Sequence, residues 1–183
     1  MIIFNAQRHE YSENGIIIKS VTQILNDAGL IDARWFTEEA REKGSAVHEL
    51  CQRYAQGERR DDLGRELSSL EYVNALAAWF SDRKPYAIAT EQMIEGCIDG
   101  HRYAGTFDLI AEVGKMVWLI DYKTGPGMKW HPAQIAAYAL AVNPDRCIML
   151  HLRADGTYRE SIIQGRALLD GLGDFRDALC FAP

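Results

Sequence analysis

Nothing in this sequence pairs its cysteines. The four, Cys51, Cys97, Cys147 and Cys180, lie far apart with no Cys-x-x-Cys among them. That spacing excludes zinc ribbons, iron–sulfur clusters and a disulfide framework, and it leaves buried reduced thiols as the reading. Long hydrophobic runs are missing too. Ile135 to Val142 falls far short of the roughly 20 apolar residues a membrane span needs, and the opening "MIIFNAQRHEY" lacks the charged-then-apolar pattern of a secretion signal. A cytoplasmic protein with no membrane partner is expected. Positive charge is also in deficit: 20 Lys and Arg stand against 26 Asp and Glu, a formal net charge of −6. Phosphate binding is driven by Lys and Arg, so no large nonspecific nucleic-acid surface is expected, and any nucleic acid must be handled at a local site.

What is present fits one globular domain over 1–183, because 48% hydrophobic and 25% charged residues in 183 positions allow a sizeable core. Repeats, low-complexity tracts and linkers are absent. A hairpin signal, Asn14-Gly15, marks an N-terminal appendage over 1–19. Ser20 with Gln23 three residues on reads as a helix cap and opens a helical region over 20–85. One helix spans about Ala33 to Ala55, with Phe36, Ala40, Val47, Leu50 and Tyr54 as its apolar stripe and Gly57 as its end. Another spans about Leu63 to Ser81 and buries Leu67, Leu70, Val73, Leu76, Ala77 and Phe80. Strand patterns follow at about 86–95, 101–112, 116–123, 146–152 and 157–162. A helix beginning near Pro132 and stopped by Asn143-Pro144 interrupts them, within a sheet-and-helix region over 86–162. A last helix, about Gln164 to Leu179, occupies the closing segment 163–183. The fold class is therefore α/β, a central mixed sheet of four to five strands flanked by helices.

The chemistry gathers at "VWLIDYKTG", Val117 to Gly125, where an apolar strand ends in Asp121 and Lys123. Gly114-Lys115 supplies a tight turn before it. A hairpin centred there pairs residues whose numbers sum to 229, which sets Asp108 opposite Asp121. Their Cβ atoms would be about 5 Å apart, where like charges destabilise unless neutralised. A divalent cation is the obvious neutraliser, and a one-residue slip in register would abolish the pairing. Alternation puts Val117, Leu119, Asp121 and Lys123 on one face and Trp118, Ile120 and Tyr122 on the other. Oxygen ligands favour Mg²⁺ or Mn²⁺. Two carboxylates and an amine at a strand end suit metal-assisted phosphodiester hydrolysis. Taken alone, an acid and a lysine two apart are equally well read as a solvated ion pair.

Four stretches in order, "GSAVHEL", "AGTFDLI", "LIDYKTG" and "QIAAY", span His48 to Tyr138, about half the chain, and resemble the PD-(D/E)XK nuclease superfamily. The branch they resemble is the RecB-type, Cas4-like one that includes small stand-alone phage and bacterial exonucleases. The resemblance implies a restriction-endonuclease-like core in which Asp108, Asp121, His48 and the backbone carbonyl of Tyr122 bind metal and Lys123 is the catalytic lysine. It implies further that Gln134 and Tyr138 support Lys123 or contact phosphate, and that Glu91 is a further acidic ligand, with Glu95 as a competitor. A lone helical histidine is ordinarily a satisfied core or surface residue. Gly44, one turn before His48, would let a backbone or DNA approach. Phe107 stands where the family pattern has proline, and the cysteine quartet that holds an iron–sulfur cluster in some relatives is missing.

The expected function is that of a Mg²⁺- or Mn²⁺-dependent deoxyribonuclease, an exonuclease of DNA recombination, repair or phage DNA processing. Its partners would be DNA and a recombination or single-strand-annealing protein. Alternatives are a structure-selective endonuclease and a non-catalytic nucleic-acid- or partner-binding module on the same fold. Lys129, Trp130 and His131 are candidate contacts to phosphate and base. Arg34, Arg41 and Lys43 approach His48 on a helical face that is otherwise read as solvated.

Overall fold

The structure is a computed structural model and describes residues 2–5, 10–31, 37–63 and 67–181. A five-stranded sheet forms its centre, ordered β4(Tyr86–Ile98)-β5(His101–Val113)-β6(Met116–Lys123)-β7(Arg146–Leu152)-β8(Tyr158–Ile163). Neighbours are antiparallel except for β6 and β7, which run parallel. A parallel pair needs a crossover, and α4 (His131–Val142) provides it. The sheet lies between helical layers. On one face α1 (Val21–Asp27), α4 and α5 (Arg166–Phe181) pack around Leu119, Ile135, Met149 and Phe175; on the other α2 (Glu38–Ala55) and α3 (Leu67–Arg83) pack around Trp118, Ile120, Tyr122 and Ile148. The alternation along β6 read from the sequence is thus realised in its two cores.

Turn chemistry accounts for the hairpins. Asn14 and Gly15 both have positive φ, 52° and 80°, between β2 (Glu10–Glu13) and β3 (Ile16–Ile18), as a type I′ turn requires. Asp99 and Gly100, at 50° and 85°, do the same between β4 and β5. At the β5–β6 turn Gly114 takes φ 68° and Val113 pairs with Met116. The pairs are those whose numbers sum to 229, but the ladder stops at Leu109–Ile120. Asp108 and Asp121 therefore lie just beyond it, and the directly facing aspartate pair is not formed. Asp108 instead turns its carboxylate onto the β6 backbone.

Several expectations need correction. The N-terminal appendage is a three-stranded sheet, β1 (Ile3–Asn5) adding to the hairpin, and it is joined to β5 through a Ser20–Ala104 bridge and a 2.8 Å Tyr11–Thr106 hydroxyl hydrogen bond. In α2 the buried stripe is Val47, Cys51 and Ala55, while Ala40 is exposed; Thr37 caps the helix. Phe36 and Arg34 fall outside the described residues, as does the side chain of Leu67. In α3 the largest buried side chain is Trp79, which sequence periodicity did not single out, and it donates Nε1–H to Glu160 at 2.6 Å. All four thiols are free, but only Cys51 and Cys147 are buried and Cys97 is exposed.

Candidate metal centre and its lysine

Glu91, Asp108, Asp121 and Lys123 come from three adjacent strands, and His48 reaches them from α2. The β4–β5 ladder passes from Thr90–Leu109 to Gln92–Phe107, skipping Glu91 and Asp108. Glu91 has φ 45°, a left-handed backbone inside a strand. A glutamate in that region costs on the order of 1–3 kcal/mol, and such strain gathers where a side chain must be re-aimed. Here the Glu91 carboxylate is brought to His48, Oε1 lying 3.8 Å from Nδ1. The same Nδ1 is 3.1 Å from Asp108 Oδ1. Asp108 Oδ2 accepts the Tyr122 backbone N–H at 2.5 Å.

Ligand atoms of His48, Glu91 and Asp108 all lie within 4.8 Å of one another, and among the described residues this is the group able to hold a metal ion. Asp121 is not within that trio. Its Oδ2 lies 2.5 Å from Lys123 Nζ, which also donates to Gln134 Oε1 at 2.8 Å. Gln134 Nε2 donates in turn to the Tyr138 hydroxyl at 3.3 Å. The expected four-residue pairing along α4 thus exists as a hydrogen-bonded chain ending on the lysine. Tyr138 packs where β5 carries Gly105, and a Cβ at Gly105 would sit 2.6 Å from the Tyr138 ring. Gly105 leaves the space that the Tyr138 ring occupies, and the sequence showed it only as part of "AGTFDLI".

Burial sets the electrostatics. Alone it would lower the His48 imidazolium, yet the carboxylates of Asp108 and Glu91 outweigh it and raise the group to about 10. Asp108 is held below the usual carboxylate range: burial pushes it up, but His48, Lys123 and the Tyr122 N–H prevail. Burial lifts Asp121 to about 6 against the pull of Lys123, with Asp108 adding to the rise. Glu91 is likewise raised, chiefly by burial. His48 and Lys123 are the positive partners that these carboxylates face here.

Does this donor set fit a cation? Glu91 Oε1 is buried with no hydrogen-bond partner, and Asp121 Oδ2 has only its ion pair with Lys123. Unsatisfied buried carboxylate oxygens are costly, and a hard divalent ion is the partner such oxygens take. Gly44 lies on the same helix as His48, and a Cβ there would meet nothing within 4 Å. Its lack of a side chain thus has no packing cause inside the protein.

Two of the three expected nucleic-acid contacts are placed otherwise. Trp130 and His131 are buried. Their rings meet edge to face at 4.5 Å, and the Trp130 ring lies 5.5 Å from Lys123 Nζ. His131 Nδ1 accepts the Met128 backbone N–H at 3.2 Å. Both are walls of the lysine's pocket, since apolar surface beside α4 is stabilised by burial; Lys129 remains exposed.

A family model for the PD-(D/E)XK nuclease superfamily matches residues 25–158. The chain belongs to that superfamily. It is also similar to an alkaline exonuclease from Laribacter hongkongensis, at 13% identity and a TM-score of 0.48, with 88% of this chain and 86% of that chain covered. The same enzyme in complex with dAMP gives 15% identity and 0.45 over the same shares. Comparison with curated proteins gives no match. Among the described residues no helix is long and apolar enough to cross a membrane.

Proposed function

We propose that this protein is a Mg²⁺- or Mn²⁺-dependent deoxyribonuclease, an exonuclease serving DNA recombination, repair or phage DNA processing in the cytoplasm. The observation that carries the reading is the His48–Glu91–Asp108 cluster set against the Asp121–Lys123–Gln134 chain, within a fold of the nuclease superfamily. His48, Glu91, Asp108, Asp121 and the Tyr122 carbonyl would hold the cation, which when bound supplies an activated water and charge neutralisation at the phosphate. To hold the ion, His48 would have to give up its proton, while Asp121 could offer the oxygen that does not face Lys123. The ammonium, still anchored by Gln134 Oε1, then faces the phosphate and stabilises charge that develops there. Tyr138 and Gly105 keep Gln134 in place. Trp130 and His131 exclude water from the lysine's far side and strengthen its field.

Linear and circular single-stranded DNA incubated with the protein in Mn²⁺ test this. Degradation of linear substrate, loss of that activity in Asp121→Asn and survival of circles are expected. No cleavage with either metal, or cleavage undiminished in Asp121→Asn, would refute the proposal, and cut circles would make the enzyme an endonuclease.

A further inference from the structure

The five strands carry a charge gradient at one level of the sheet. Glu91 on β4, Asp108 on β5 and Asp121 on β6 make the acidic half. Beyond it the register runs Lys123–His151 between β6 and β7 and His151–Arg159 between β7 and β8. The three side chains share a face, because paired residues on neighbouring strands point the same way. A line from Lys123 to Arg159 crosses two inter-strand spacings, roughly 10 Å.

Arg159 and Arg153 are exposed, and Arg159 has no ion pair or hydrogen bond to any described residue. Both lie close enough to His151, with Lys123, to depress its imidazolium after burial has done so. The carboxylates of this end are already engaged: Asp121 by Lys123, Asp155 by Thr157, and Glu160 by Arg83 and Trp79. Asp155 keeps its charge beside Arg153, so Arg159 is the cation of this end that is left with no carboxylate partner among the described residues. His151 braces the loop that leaves β6, its Nδ1 3.4 Å from the Gly125 carbonyl oxygen. That loop carries exposed Lys129 and ends at His131, whose ring is 6.5 Å from His151.

We infer that Arg159, Arg153 and Lys129 form a phosphate track on the floor made by His151, receiving the backbone of the nucleic-acid strand on the lysine side of the scissile bond. This deepens the nuclease reading and rests on it. The acidic half repels phosphate unless loaded with metal, whereas this half attracts it in any state, so the strand must run across β6, β7 and β8 rather than along β4. A net-acidic protein can thereby hold nucleic acid at one place, as its composition demands.

The test is fluorescence titration of a fluorescein-labelled oligothymidylate into the full chain in Ca²⁺ at several salt concentrations. Each contact to a single strand contributes about 0.7 to the slope of log K against log salt, so Arg159→Gln should raise Kd about fivefold at 0.1 M salt and flatten that slope by about 0.7. Arg153→Gln should act in the same direction and Arg159→Lys should restore most of the affinity. Lys115→Gln, in the exposed turn at the opposite end of β6, should change nothing. An Arg159→Gln variant that binds as Lys115→Gln does, while the wild type binds and cleaves, overturns the track alone. A wild type that neither binds nor cleaves overturns the track together with the nuclease reading.

Discussion

Replacing Gly105 with alanine puts a methyl group 2.6 Å from Tyr138 Cε1 and 3.4–3.5 Å from the adjoining ring atoms. The Tyr138 ring is 4% exposed and packed within the α1–α4–α5 core, so it cannot swing into solvent. Overpacking of this kind costs about 1–3 kcal/mol. For a chain of 183 residues, at about 2–4 °C per kcal/mol, the expected fall in Tm is about 2–12 °C. The same displacement strains the 3.3 Å contact to Gln134, which holds Lys123 at 2.8 Å. A misplacement of about 1 Å at a reacting group costs on the order of 100-fold in rate. Calorimetric melting and cleavage of labelled DNA, scored on folded protein, read the two effects. Tyr138→Leu lacks the colliding ring atoms, so Gly105→Ala should cost about 1–2 kcal/mol less in that background. An equal loss in both backgrounds would refute the contact between β5 and α4 as the reason for the glycine.

Other consequences follow from particular contacts. Lys123→Met should reduce cleavage by about 10²–10³-fold, the range for removing one preorganised charge-stabilising donor, with steady-state cleavage as the readout and near-wild-type activity as the contrary result. His131 is held neutral, depressed to about 3 by burial, then by Lys123 and His151. Its unfolded counterpart takes up a proton below about 6.5. Its contribution is therefore complete above that pH and is lost as pH falls toward 3, by at most about 1.4 kcal/mol per pH unit. Urea midpoints measured from pH 7 to 4 should fall less steeply in His131→Asn than in wild type, and parallel curves would contradict this. Glu160→Ala should cost about 1–3 kcal/mol in urea unfolding because buried Trp79 Nε1–H loses its 2.6 Å acceptor, whereas Glu160→Gln retains one and should cost less.

The elements near the site were legible because each had a local cause. Apolar alternation along Val117–Tyr122, the turn at Gly114 and the Asn143-Pro144 stop all act within a few residues, and the strand and helix limits read from them agree with those formed. Asn143 indeed closes α4 in a left-handed conformation, φ 54°. What sequence could not show was long-range. Glu91 was singled out only through the resemblance, with Glu95 as a competitor, and it is a left-handed backbone at φ 45°, set against β5, that aims it at His48. Trp130 and His131 resembled surface contacts by composition, yet the packing of α4 on the sheet buries them. Arg159 is 36 residues from Lys123 in sequence and two strands away in space, a relation fixed solely by the order β6-β7-β8. Asp99-Gly100 is a turn signal of the same kind as Asn14-Gly15, legible from residue type alone.

The central claim is that a divalent cation belongs among His48, Glu91, Asp108 and Asp121, taking the place of the His48 proton. Calorimetric titration of Mn²⁺ into the full chain and into Asp108→Asn measures it directly. Binding with a Kd of millimolar or tighter, accompanied by proton release, is expected in the wild type and none in the variant; wild-type protein that binds no Mn²⁺, or a variant that binds it equally well, would refute a cation at this site.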